Sequence, residues 1–249
     1  MIKIKKIGQV IFSSPVYTFS VVFLIVLIIL SLIAPLLPLD PNATDVSNMS
    51  QPPSLAHWFG TDEVGRDYFI RVLYGGRVSL LVGVLAMLTA TTIGTLVGLT
   101  AGYFGGLIDS ILMRLLDVLS AIPWLVLVIV LSVFLKPGLT TIIVIIGCFS
   151  WMGIARLIRG ETLAAKERDY VIYAKFIGIP PFKIIVRHIL PSVLPTLIVA
   201  ASASISGAIM TESALSFLGM GIQQPMASWG SLLQNAQSSL QRAPYTAIL

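Results

Sequence analysis

The sequence has 249 residues, of which 56% are hydrophobic and 11% charged, and its formal net charge is +5. A soluble globular domain carries roughly a quarter charged residues, so this composition excludes a cytosolic enzyme and a disordered tail. The single cysteine, Cys148, also excludes a secreted scaffold built on internal disulfides. The mean hydropathy of +0.94 indicates a polytopic membrane protein.

Five uncharged stretches are long enough to cross about 30 Å of hydrocarbon as helices. They cover residues 7–39, 78–108, 118–135, 137–155 and 189–211, and Pro123 predicts a kink in the third. A sixth uncharged stretch, 213–241, carries glutamine and asparagine side chains that would need partners in lipid, so we predict an external polar segment at 213–242. The predicted fold class is all-α, a polytopic membrane bundle. A further apolar run begins near Ala243, and we expect a sixth span that this sequence cuts short.

The basic residues predict the orientation of the chain in a cell membrane. One block is Lys3, Lys5 and Lys6, and the other lies within residues 156–187. Four spans separate the two blocks, so both lie on the same face, and the positive-inside rule makes that face cytoplasmic. This placement of basic residues on the cytoplasmic face accounts for the positive net charge, so membrane lipid is an expected partner and nucleic acid is not.

The chain is predicted to have three regions. Residues 1–39 form a cytoplasmic N-terminal segment and the first span, and residues 40–77 form an external loop with an interfacial amphipathic helix rich in aromatic residues. Residues 78–249 form the core, which includes a cytoplasmic loop at 159–191 and the external segment 213–242.

The loop at 159–191 reads RGETLAAKERDYVIYAKFIGIPPFKIIVRHILP, which is too polar for a span and too apolar for a linker. Its periodicity predicts a helix over 161–176 that ends at Gly178, a residue suited to positive φ. Pro180 and Pro181 then favour a second short helix over 182–190, and Pro191 marks the start of the fifth span. Exposed apolar residues at the corner suit either a protein partner or lipid headgroups, and these are Phe176, Ile177, Ile179 and Phe182.

Two of the spans carry stripes of small residues. In the second span the stripe comprises Ala90, Gly94, Gly98 and Gly102. Its four-residue spacing is typical of closely packed helices, and we favour this interpretation over the wall of a cavity. In the fifth span the stripe is mildly polar and fits either a pathway lining or packing, and it comprises Thr196, Ala200, Ala203, Ser204, Gly207 and Thr211.

No catalytic constellation is evident in the sequence. It contains no G-x-x-x-x-G-K-[ST] loop, no G-x-S-x-G and no H-E-x-x-H, and the topology places His57 and His188 on opposite faces, so no metal site is predicted. Asp117 is expected to pair with Arg114 within one helix, and Glu212 is expected to be a structural acid near the outer interface. An intramembrane hydrolase is therefore disfavoured.

The loop at 159–191 resembles the cytoplasmic EAA loop of ABC-importer permeases. Ala174, Gly178, Leu190 and Pro191 match that pattern in type and spacing, whereas Ile172, Tyr173 and His188 depart from it in the manner of the peptide and nickel branch. Two further stretches resemble the same branch in the right order, FGTDEVGRDYFIRVLYGGRVSL at 59–80 and TESALSFLGMGIQQPMASWGSLL at 211–233.

The resemblance implies a permease subunit that is not itself an enzyme. Its partners would be a second, related permease subunit, two cytoplasmic ATPases that hold ATP and Mg²⁺, and an external substrate-binding protein, and this chain would bind no cofactor. Its cargo would be peptides, with nickel or another small solute as the alternative, and a non-transporting scaffold is the alternative from a different class. The resemblance implies an ATPase-coupling role for residues of the loop, namely Glu161, Asp169, Ala174, Gly178, Ile179, Phe182, Arg187 and Pro191.

Overall fold

The computed structural model describes residues 12–136 and 138–248, so the predicted basic block at Lys3, Lys5 and Lys6 lies outside the described residues. The regular structure in the described ranges is helical, and the β-type pairing is one isolated bridge between Thr61 and Asp67. The main helices are α1 Pro15–Ile33, α2 Tyr68–Phe104, α3 Gly106–Ser120, α4 Trp124–Phe134, α5 Leu139–Lys166, α6 Asp169–Phe176, α7 Pro181–Ile184, α8 Leu190–Phe217 and α9 Trp229–Ser239.

Four helical segments of the described chain are long and apolar enough to cross a membrane, or five if the pair α3–α4 counts as one span. The helices of that pair meet at an angle of 75°, because the chain breaks at Ala121–Pro123, where Pro123 precedes the first turn of α4. The all-α, multi-pass fold class predicted from the sequence is confirmed.

The chain divides into two compact units, and the boundary falls within α2. The first unit combines the described residues up to Leu80 with those from Ile222 onward. In it the Tyr68 hydroxyl donates to the Leu232 carbonyl at 3.3 Å, and the Trp229 indole donates to the Val72 carbonyl at 3.2 Å. These bonds fasten the start of α2 to α9. The predicted interfacial helix is not a separate element here, since the aromatic segment from Tyr68 onward forms the first turns of α2.

The second unit is Leu81–Gly221 and contains the loop at 159–191. The predicted helix over 161–176 is two helices, because α5 continues to Lys166 and Arg168 is extended at φ −73°, ψ 142°. At about 100° per residue, a straight helix would turn Val171 and Ala174 away from the buried face of Ala165. The break directs all three side chains into one core.

The sequence predicted that one helix ends before Pro191 and another begins there, but the helix has no break at this residue. A π-helical segment, Ile185–Ile189, joins α7 directly to α8, so the helical run extends from Pro181 to Phe217. Pro191 cannot donate a backbone hydrogen bond to the preceding turn, and a wider π turn directly before it accommodates the missing bond without ending the helix.

Candidate functional site

The turn between α6 and α7 is closed by a Schellman motif. The Ile179 amide donates to the Ala174 carbonyl and the Gly178 amide to the Lys175 carbonyl, both at 3.0 Å. Gly178 has φ +79°, the left-handed conformation that this motif requires. Pro181 then starts α7, where its missing N–H needs no partner. We call residues 169–184 the elbow.

The inner side of the elbow is locked onto the core of the second unit. Val171, Ala174 and Ile184 are at most 2% exposed, and all three belong to one buried apolar cluster. The other buried members come from α2, α5, the π segment and α8, and are Ala90, Leu99, Tyr103, Ile154, Ile158, Ala165, Ile189 and Val193. A displacement of the elbow would therefore act on three membrane helices at once.

The outer side of the elbow presents apolar side chains. Phe176 is 87% exposed, Phe182 78% and Ile177 54%. Ile179, predicted to belong to the same exposed group, is half-buried and packs against the cluster beneath. This placement is the hydrophobic contact that accompanies a Schellman motif.

The polar residues predicted for this site lie in different settings. Asp169 is exposed in the first turn of α6, where a negative charge suits the helix dipole, and Arg187 is exposed in the π segment. The half-buried Glu161 accepts a hydrogen bond from the Thr196 hydroxyl at 3.2 Å, which links α5 to α8. Pro191 is exposed in the first turn of α8.

Lys175 links the elbow to the end of α2. Its ammonium lies 5.2 Å from the ring centroid of Tyr103, within cation–π range. Desolvation lowers the pKa of Lys175 from its ordinary value, and the charge of nearby Lys166 lowers the pKa further. The sequence pattern did not single out this contact, since the two residues are far apart in the chain.

Two ion pairs join α3 to α5 beside the loop. The Arg159 guanidinium donates to both carboxylate oxygens of Asp109, at 2.5 and 2.6 Å, and Arg156 donates to Asp117 at 3.0 Å. The predicted pairing of Asp117 with Arg114 is therefore wrong. The sequence did contain a signal for these two pairs. Two arginines, Arg156 and Arg159, share one face of a helix, and two aspartates, Asp109 and Asp117, share one face of another.

The small-residue stripe of α2 faces α5. A Cβ added to Gly94 would lie 2.8 Å from side-chain atoms of Ile154, and one added to Gly98 would lie 2.7 Å from the backbone oxygen of Ala155. Gly102 is equally close to Thr162, and Ala90 is fully buried. The two helix backbones approach closely along this line, as small residues permit.

The small, mildly polar residues of α8 are mostly half-buried. Thr196, Ala200, Ser204 and Thr211 are intermediate in exposure, whereas Ala203 and Gly207 are exposed. Glu212, expected at an interface, is fully buried, and its carboxylate accepts a hydrogen bond from the Ser216 hydroxyl at 2.7 Å.

Thr211 also lines a cavity of about 270 Å³ within the second unit. The remaining lining residues are contributed by α4 and α5, and are Trp124, Leu127, Val128, Ile145, Ile146, Phe149 and Ser150. Among the described residues, no group of three or more His, Cys, Asp and Glu side chains could hold a metal ion.

Comparison with known proteins gives consistent matches. Residues 94–249 match the family described as the binding-protein-dependent transport system inner membrane component. The chain is 49% identical to the dipeptide transport system permease protein DppC of Bacillus subtilis over 185 residues, which are 74% of this chain and 58% of that protein. It is 41% identical to the oligopeptide transport system permease protein OppC of Haemophilus influenzae over 213 residues, 85% of this chain and 68% of that protein.

A further relative is named for a different cargo. The glutathione transport system permease protein GsiD of Pectobacterium atrosepticum is 41% identical over 214 residues, 86% of this chain and 71% of that protein. The aligned part of this chain thus spans 58% to 71% of the length of these relatives.

Proposed function

Since the chain belongs to the family of binding-protein-dependent transport system inner membrane components, we propose that it is the peptide-carrying permease subunit of an ABC importer, in which it forms half of the translocation pathway. Peptide cargo is favoured over nickel because relatives at 41–49% identity are named for dipeptide, oligopeptide or glutathione transport. The N-terminus and the loop at 159–191 lie on the cytoplasmic side.

The observation that most supports the proposal is that the elbow is exposed on one side and buried in the core on the other. Its outer side presents Phe176, Ile177 and Phe182 to solvent, while its inner side is buried among residues of α2, α5 and α8. Exposed aromatic side chains on a rigid turn suit a groove on a protein partner, where buried aromatics dominate binding energy. A cytoplasmic ATPase seated on the outer side would move these helices as it closes and opens.

The remaining partners follow from the same role. A second permease subunit completes the pathway, an external binding protein delivers the cargo, and two ATPase subunits hold ATP and Mg²⁺. Glu161, Asp169 and Arg187 supply polar contacts around the docking turn, and Thr196, Ala200, Ser204, Gly207 and Thr211 line the path. Small hydroxyls suit a lining that binds cargo weakly enough to release it.

The test uses the complete importer reconstituted in liposomes. We expect uptake of labelled peptide that requires ATP, the binding protein and this subunit together. A complex that assembles on the ATPases and hydrolyses ATP, but takes up no peptide, would contradict the transport role and favour a scaffold. Uptake of nickel without uptake of peptide would contradict the cargo assignment.

A further inference from the structure

Two lysine ammoniums meet at the corner where α2 ends and α3 begins. The Lys175 ammonium lies 5.2 Å from the ring centroid of Tyr103, and the Lys166 ammonium lies 3.7 Å from the position that a Cβ would take on Gly105. Tyr103 and Gly105 are two residues apart, so both ammoniums converge on the same short stretch of backbone. Desolvation lowers the pKa of Lys175, and the nearby charge of Lys166 lowers it further.

Neither ammonium has a counter-ion in the part of the chain that the structure describes. Within those ranges no carboxylate oxygen lies at ion-pair distance from either lysine, although Glu167 and Asp169 are close in the sequence. Asp109 interacts with Lys166 at longer range, but both of its carboxylate oxygens already accept hydrogen bonds from Arg159. Three cations thus share one carboxylate, and the repulsion between the two lysines favours an anion that lies between them.

The backbone at this corner leaves room for a ligand. Gly105 and Gly106 adopt φ +65° and +53°, and neither carries a side chain that would cover the backbone. Within the described chain, a Cβ added to Gly105 would meet the Lys166 ammonium alone, and one added to Gly106 would meet no atom within 4 Å. Glycine allows a ligand to approach the backbone closely, so an anion can reach both ammoniums from this side.

The corner also lies at the ends of two candidate membrane spans. α2 ends at Phe104 and α5 ends at Lys166, and both helices are long and apolar enough to cross a membrane. The ends of spanning helices lie at the level of the lipid headgroups, and basic pockets between such helices bind anionic headgroups. Lysine binds phosphate as a point charge, so two adjacent lysines suit one phosphate group.

We propose that Lys166 and Lys175 together bind one phosphate group, which an anionic lipid presents at the membrane surface beside this corner. The bound phosphate ties the elbow, through Lys175, to the ends of α2 and α5. This assignment goes beyond the proposed function, because it depends on neither the cargo nor the hydrolysis of ATP.

The test measures how fast each lysine is acetylated by acetic anhydride, a neutral reagent that attacks the unprotonated amine. The complete importer is placed in nanodiscs of phosphatidylcholine alone or of phosphatidylcholine with phosphatidylglycerol, and acetylated peptides are quantified by mass spectrometry. Lys183 is exposed on α7 and is not one of the pair, so it corrects for the general effect of a negative membrane surface. A third sample adds inorganic phosphate to the phosphatidylcholine nanodiscs, which separates a lipid source of phosphate from a free one.

We expect phosphatidylglycerol to slow acetylation of Lys166 and Lys175 by roughly tenfold relative to Lys183, because charge-assisted hydrogen bonds to phosphate hold both amines protonated. The protection of Lys175 should be lost in Lys166→Gln, and that of Lys166 in Lys175→Gln, whereas Lys183→Gln should leave both lysines protected. Equal acetylation in all samples, or protection of one lysine that persists without the other, overturns the shared site. Protection by inorganic phosphate but not by phosphatidylglycerol overturns the lipid as the ligand.

Discussion

Gly178→Ala tests whether the left-handed turn holds the elbow together. Gly178 has φ +79°, and a Cβ added there would meet no atom within 4 Å. The cost of the substitution is therefore the backbone term alone, roughly 1–2 kcal/mol for a non-glycine residue in this conformation. A free energy of that size changes the local opening equilibrium about 5- to 30-fold.

Hydrogen exchange of the Ile179 amide reports that equilibrium directly. This amide donates to the Ala174 carbonyl only while the turn is closed. In purified protein we expect its exchange to be about 5- to 30-fold faster in Gly178→Ala. Gly178→Asn should exchange nearly as slowly as wild type, because asparagine tolerates the left-handed region.

Gly160→Ala is the matched control. A Cβ at Gly160 also meets no atom within 4 Å, but this residue lies inside α5 with a helical backbone. Alanine there should stabilise the helix by roughly 0.5–1 kcal/mol and leave exchange at Ile179 unchanged. Equal exchange rates at Ile179 in Gly178→Ala and wild type would refute the reasoning.

Three further experiments test other parts of the account. Asp109→Asn and Arg159→Gln, combined in a double-mutant cycle of the free energy of unfolding, should give a coupling energy of about 1.5 kcal/mol or more, because the pair is bidentate and charge-assisted. Gly98→Val should destabilise the protein by about 1–3 kcal/mol, measured as a lower Tm, because its Cβ would lie 2.7 Å from the Ala155 backbone oxygen. Phe182→Asp should leave membrane insertion intact and abolish the stimulation of ATP hydrolysis by loaded binding protein in the complete importer.

Each of these has an internal control. Asp117 and Arg156 have side chains 58% and 48% exposed and form a single hydrogen bond, so their coupling energy should be about 0–1 kcal/mol. The side chains of Asp109 and Arg159 are less exposed, at 16% and 33%, and a larger coupling energy for Asp117 and Arg156 than for this pair would contradict the reasoning. Gly153→Val places its Cβ in open space and should leave Tm nearly unchanged, so a loss as large as in Gly98→Val would show that close packing is not the cause. Phe182→Leu should retain the stimulation of ATP hydrolysis by loaded binding protein. Normal peptide uptake by Phe182→Asp would contradict the role of Phe182 in docking the ATPase.

The turn of the elbow was predictable from sequence because its signals are local. Gly178 ends a helix as predicted, and Pro181 begins a helix one residue before the predicted start at Phe182. Both effects arise from the backbone of the residue itself. The bend at Pro123 is equally local. The small-residue stripe of α2 is visible in the sequence as a four-residue spacing, but the partner helix is not.

The features that the sequence did not predict depend on long-range packing. The break at Arg168 exists because Val171 must share a core with Ala165, which periodicity over one segment does not reveal. Asp117 had an oppositely charged neighbour three residues away, yet it pairs with Arg156 on another helix. The cavity beside Thr211 likewise arises from three separate helices.

The most direct test of the account places a photocrosslinking benzoyl-phenylalanine at position 182 in the complete importer. The side chain at this position is 78% exposed in the isolated chain, so the larger ring fits without disturbing the core. The account predicts a crosslink to the cytoplasmic ATPase subunit, lost when the probe is moved to buried Val171. A probe at 182 that crosslinks only lipid, or a protein on the external side of the membrane, would contradict it.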